Sequence, residues 1–100
     1  MMALPMTRRP AAAGDYDPAG LHVLSYARGF TLWHYRTAAA LETVAEAGYF
    51  NPACHLLRPG DRIAVNVHEA GRFRAARDFC VIAAARGEVR LVPLSAAAAV

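Results

Sequence analysis

Arg62-Ile-Ala-Val-Asn-Val-His68 alternates apolar and polar side chains with a period of two, so Ile63, Val65 and Val67 form one face of a strand and Arg62, Ala64, Asn66 and His68 the other. Its β-branched content favours a half-buried strand over a helix. Upstream, Phe30-Thr-Leu-Trp-His-Tyr-Arg36 alternates too, with Phe30, Leu32 and His34 on one side and Thr31, Trp33 and Tyr35 on the other. Residues 21–26 form a weaker strand, and Arg28-Gly29 turns the chain between the two. Downstream, residues 79–85 and 88–94 read as a hairpin about Arg86-Gly87, and Pro93 places the last strand at an edge.

One helix is expected over residues 37–47. Thr37 offers an N-cap, Leu41, Val44 and Ala45 recur at helical spacing, and Gly48 suits a left-handed C-terminal cap. Asn51-Pro52 marks a turn or a short helical start, and Arg58-Pro-Gly-Asp61 returns the chain to the 62–68 strand. Residues 69–77 read as a polar loop. The expected fold is α+β and mostly β: a small twisted antiparallel sheet or partly open β-barrel with one covering helix. Residues 1–20, punctuated by Pro5, Pro10, Pro18, Gly14 and Gly20, read as an extended N-terminal arm, residues 21–95 as the domain and 96–100 as a C-terminal tail.

The 100 residues include 11 arginines, no lysine and 8 acidic residues, for a net charge of +3. Alanine accounts for 23 positions, so fewer side chains of core-building size exist than the 56% hydrophobic fraction implies. Such a chain fits one small domain of modest stability, which gains from an oligomeric partner. Arginine without lysine, beside so much alanine, fits a GC-rich genome as simply as a nucleic-acid partner. No apolar run approaches the length of a membrane span, and Arg8-Arg9 follows rather than precedes the first apolar residues, unlike a signal peptide.

The chemistry-bearing residues are sparse. His22, His34, His55 and His68 with Cys54 and Cys80 show neither CxxC nor histidine i, i+4 spacing, so neither a metal nor a cofactor is expected. Cys54-His55 are sequence neighbours that need not face each other, and Cys54 reads as a small buried apolar group. Ser25 and Ser95 lack a nucleophile-elbow context, and no glycine-rich phosphate loop is present. No catalytic set is expected, and the chain does not read as an enzyme.

Arg72-Phe-Arg-Ala-Ala-Arg77 is the densest basic stretch. As a loop it would be solvated, would meet an acidic protein surface, or would bind nucleic acid through Arg72, Arg74 and Arg77 with Phe73 as a stacking platform. Trp33, Tyr35, Tyr49 and Phe50 read as core or subunit interface, with a sugar-binding platform around Trp33 and Tyr35 as the competing use.

The central block carries a resemblance. Leu32-Trp-His-Tyr-Arg-Thr37, a helix, Ala47-Gly-Tyr-Phe-Asn-Pro-Ala53, Leu56-Leu-Arg-Pro-Gly-Asp61 and the strand at 63–65 together resemble a family of small virion-associated proteins of tailed phages and alphaproteobacterial gene transfer agents. The likeness spans roughly residues 29–67, with Arg36, Thr37, Gly48, Asn51, Gly60 and Asp61 as its family-like positions. Where that family carries an aspartate after the arginine-threonine, this chain has Ala38-Ala-Ala40.

The resemblance implies a structural virion protein: a head spike base or capsid decoration protein, linking capsid to a fibre or receptor-binding component. Its implied partners are capsid protein, other virion proteins and further copies of itself, with fivefold symmetry if it sits at an icosahedral vertex. Its implied location is the virion or gene transfer agent particle, assembled in the bacterial cytoplasm. A nucleic-acid-binding module using Arg72–Arg77 is the alternative.

Overall fold

The computed structural model describes residues 15–94. Expectations about residues 1–14 and about the 96–100 tail lie outside the described residues. After a 3-10 turn at Pro18–Gly20 come β1 (Leu21–Ala27), β2 (Phe30–Thr37), α1 (Leu41–Val44), a second 3-10 turn at Asn51–Ala53, β3 (Arg62–Glu69), β4 (Arg72–Ala85) and β5 (Glu88–Pro93). Among the described residues the fold is mostly β with a single short α-helix, as the alternating stretches imply.

The strands lie in chain order, β1-β2-β3-β4-β5, in one open sheet. Every neighbouring pair is antiparallel except β2 and β3, which are parallel. The expectation of a wholly antiparallel sheet is corrected at that pair. A parallel pair needs a crossover that carries the chain back to the starting end, and residues 38–61 are that crossover. It lies over one face of the sheet and buries Thr31, Trp33 and Tyr35 of β2, Ile63, Val65 and Val67 of β3, Phe79 and Val81 of β4 and Val89 of β5 against Ala39, Val44, Phe50, Ala53 and Leu57.

The helix is one turn long, not the expected 37–47. Thr37 ends β2 opposite Val67, and its Oγ1 accepts the Ala39 N–H at 3.0 Å, so it caps a turn and not a helix. Ala40 stands at the N-cap, without a side-chain hydrogen bond. Four alanines at 38, 39, 40 and 45 favour helix intrinsically, but Val44 is the one fully buried side chain of the helix, too little to repay nucleation of a longer one.

The expected polar loop at 69–77 is a tight hairpin. Ala70 and Gly71 take positive φ, 53° and 78°, the pair of left-handed conformations that a two-residue turn between twisted strands needs. Ala70 hides that turn from a sequence reading because alanine seldom adopts it. The turn at Arg86-Gly87 repeats the geometry, with φ of 56° and 79°.

The supposed arm also enters the core. Tyr16 stacks on Tyr35 at 5.7 Å between ring centroids and meets Phe50 edge-on at 5.6 Å. Gly20 passes so close to β2 that an added Cβ would lie 2.3 Å from the Arg36 carbonyl oxygen. Residues 15–20 therefore belong to the domain.

Candidate functional site

The residues carrying the family-like motif hold the crossover to the sheet. Asp61, buried with 1% exposure, receives three hydrogen bonds: from the Thr31 N–H at 2.9 Å, the Trp33 Nε1–H at 3.0 Å and the Arg58 N–H at 3.1 Å. Three donors replace the water a buried carboxylate loses. Gly60, at φ +97°, donates its N–H to the Val81 carbonyl, and the Val81 N–H returns to the Asp61 carbonyl, both at 2.8 Å. Asn51 Oδ1 accepts the Val89 N–H at 2.8 Å, and Gly48, at φ +88°, sits beside that side chain. Arg36 is the exception, exposed on the opposite face.

Trp33, Tyr35 and Phe50 are buried and Tyr49 is half-buried. The Asp17 N–H donates to Tyr35 Oη at 2.9 Å, the two phenol oxygens are 2.8 Å apart, and Tyr49 donates to the Asp15 carbonyl at 3.0 Å. Since the Tyr49 proton is directed to Asp15, Tyr35 donates to Tyr49. Burial first, and the Tyr35 hydrogen bond second, push the Tyr49 phenol well above its ordinary range; burial likewise raises Tyr16. With Trp33 and Tyr35 in the core, neither offers a platform to a sugar.

The basic stretch does not form one surface. Register places Phe73 opposite His68 on the uncovered face, while Arg72 and Arg77 pair with Glu69 and Val65 on the covered side, the register shift between Val67 and His68 carrying Arg77 to the face opposite Phe73. Arg74 lies 3.6 Å from Glu69. Strand formation thus separates Phe73 from the arginines with which a loop would have grouped it.

Cys54 and Cys80 are both half-buried free thiols; Cys54, expected as a small buried group, is less enclosed and donates its thiol to the Glu88 carbonyl at 3.6 Å. Among the described residues no group of three His, Cys, Asp or Glu is placed to hold a metal ion, and no helix is long and apolar enough to cross a membrane.

What the fold does bring together is a polar corner on the uncovered face. Register sets His22 directly opposite His34, and Arg36 beside Asn66, with His68 two residues further along β3. His22, His34, Arg36 and His68 border a groove of about 570 Å³ that also takes in Asp17. Sequence spacing could not find this set, because its members come from three strands. A second cavity, of about 440 Å³, lies between Gly48-Phe50-Asn51 and β5. Comparison with models of protein families, with curated proteins and with solved structures finds no match.

Proposed function

We propose that the protein is a non-enzymatic structural subunit of a multi-copy assembly, and that the assembly is the head of a tailed phage or a gene transfer agent. The head placement rests on the resemblance of residues 29–67; a spike base or decoration protein, bridging capsid to a fibre or receptor-binding component, is the role that fits it. The particle would be assembled in the bacterial cytoplasm.

The carrying observation is the contrast between the two edges of the sheet. β5 is a protected edge: it is six residues long, contains Pro93, and has its Val89 N–H occupied by Asn51. β1, seven residues long with a register shift between Val23 and Ser25, has neither the proline nor the side-chain cap. It carries no charged residue and exposes Val23, Leu24 and Tyr26, the last two at 57% and 77%. The crossover covers one face of the sheet, and the other presents Ile82 and Val92 to solvent with Phe30 and Leu32 half-buried. β1 is thus an uncharged edge with exposed apolar side chains, of the kind natural monomers protect and assembly subunits use; Val23 and Tyr26 lie on the crossover side of the sheet, opposite Trp33 and Thr31, while on the other face Arg62 stands between Leu32 and Val92.

Particle association tests the proposal. Wild-type protein should co-sediment with particles from its bacterial host, while the Leu24→Lys/Tyr26→Lys double variant, with an unchanged melting curve, stays in the supernatant. Removal of residues 1–14 tests whether that segment docks on capsid, since it spares Tyr16 and the Asp17–Tyr35 bond. Wild-type protein that remains monomeric and free of particles overturns the proposal.

A further inference from the structure

We infer that the groove at the carboxyl ends of β2 and β3 binds an anionic group, a phosphate or a carboxylate, through Arg36 and the imidazoles of His22, His34 and His68. On the uncovered face Phe30, Leu32, Ile82 and Val92, with Arg62 among them, lie toward the start of β2, whereas His34 and Arg36 lie toward its end with His22 paired alongside and Phe73 against His68. The groove therefore collects nitrogen donors from three strands at one corner.

Three observations favour an anion. First, the side chains of Arg36, His22, His34 and His68 have no hydrogen-bond or ion-pair partner among the described residues, so this donor set is uncommitted. His68 lines the groove with a buried Nδ1 that has no partner, its ring meeting Phe73 edge-on at 5.7 Å. Second, one guanidinium and three imidazoles line the groove against a single carboxylate, Asp17, which opposes an anion but is directed to the Ala19 N–H at 3.0 Å, and Glu69 nearby lies against Arg74. Third, the walls are Gly20, Ala38, Ala70 and Gly71, which leave backbone and small side chains where bulk would close the space.

A cation is the weaker fit. Among the described residues no three His, Cys, Asp or Glu side chains are close enough together to hold a metal ion, and the Arg36 guanidinium beside the imidazoles repels one. A guanidinium with neighbouring N–H groups instead matches the oxygen pattern of phosphate or carboxylate.

The test is an NMR titration of the full-length ¹⁵N-labelled chain with inorganic phosphate, and separately with acetate, at constant ionic strength set by sodium chloride. Saturable amide shifts confined to residues 19–22, 34–38 and 68–71 are expected with at least one of the two anions; phosphate alone, or acetate alone, identifies which chemistry the groove takes. Arg36→Gln should weaken binding by about tenfold, and His34→Gln should weaken it as a second, independent variant. Arg74→Gln should leave it unchanged. Shifts that grow linearly without saturating, that chloride reproduces, or that both groove variants leave intact overturn the proposal. Its failure leaves the assembly proposal standing, since Leu24, Tyr26 and particle sedimentation do not enter the experiment.

Discussion

The carboxylate of Asp61 accepts the indole N–H of Trp33 at 3.0 Å, joining the end of the crossover to the middle of β2 across 28 residues of chain. The same side chain also accepts from Thr31 and Arg58, so one buried acceptor fixes where the crossover ends and where β3 begins.

Asp61→Asn should therefore cost more than its small change in shape implies. It turns one acceptor oxygen into a donor that faces an N–H, with an expected loss of about 2–4 kcal/mol. Urea unfolding measures the loss. Trp33→Phe removes a single bond, and a double-mutant cycle between the two positions should show clear coupling.

Tyr49 has a raised phenol pKa, so folding favours its neutral form. Its contribution is complete below the unfolded tyrosine value of 10.0 and declines as pH rises beyond it. Stability should fall above about pH 10, and Tyr49→Phe, less stable at pH 7 for want of the hydrogen bonds to Tyr35 and Asp15, should show a shallower alkaline decline. Melting temperatures between neutral and alkaline pH compare the two.

Ala70 and Arg86 hold positive φ in the two hairpin turns, where a Cβ is strained. Ala70→Gly and Arg86→Gly should each raise stability by about 0.5–1 kcal/mol, the relief of left-handed strain less the added entropy of the unfolded chain. Equal or lower urea midpoints would contradict this.

Gly20→Ala should do the reverse. The new Cβ meets the Arg36 carbonyl oxygen, which belongs to a paired strand and cannot rotate away. A loss of about 2 kcal/mol is expected, together with altered amide shifts at residues 16–22 as the Pro18–Gly20 turn lifts from β2.

Asn51→Ala should leave the Val89 N–H without its partner and unprotect the β5 edge. The expected cost is about 1–2 kcal/mol. Hydrogen exchange at Val89 should accelerate more than at residues paired between β3 and β4.

Strand faces were legible in the sequence because alternation is a local property. The split of β2 into Thr31-Trp33-Tyr35 and Phe30-Leu32-His34, the inward set Ile63-Val65-Val67, the turn at Arg86-Gly87 and the edge position of Pro93 all follow from residues within a few positions of one another. Two local misreadings have local causes: alanine at position 70 concealed a turn, and alanines at 38–40 imitated a helix start.

The sequence by itself determined that the chain forms a small, mostly β domain with alternating faces and a helix in one connection, whose length it overstated. Tertiary structure alone decided that β2 and β3 run parallel, that Asp61 reaches Trp33, that Tyr16 joins the core and that Phe73 parts from its arginines. It also decided that His22, His34, Arg36 and His68 share one groove. Each depends on which strands become neighbours and in what register, and pairing between distant segments is set by burial of the whole sheet, which no local spacing encodes.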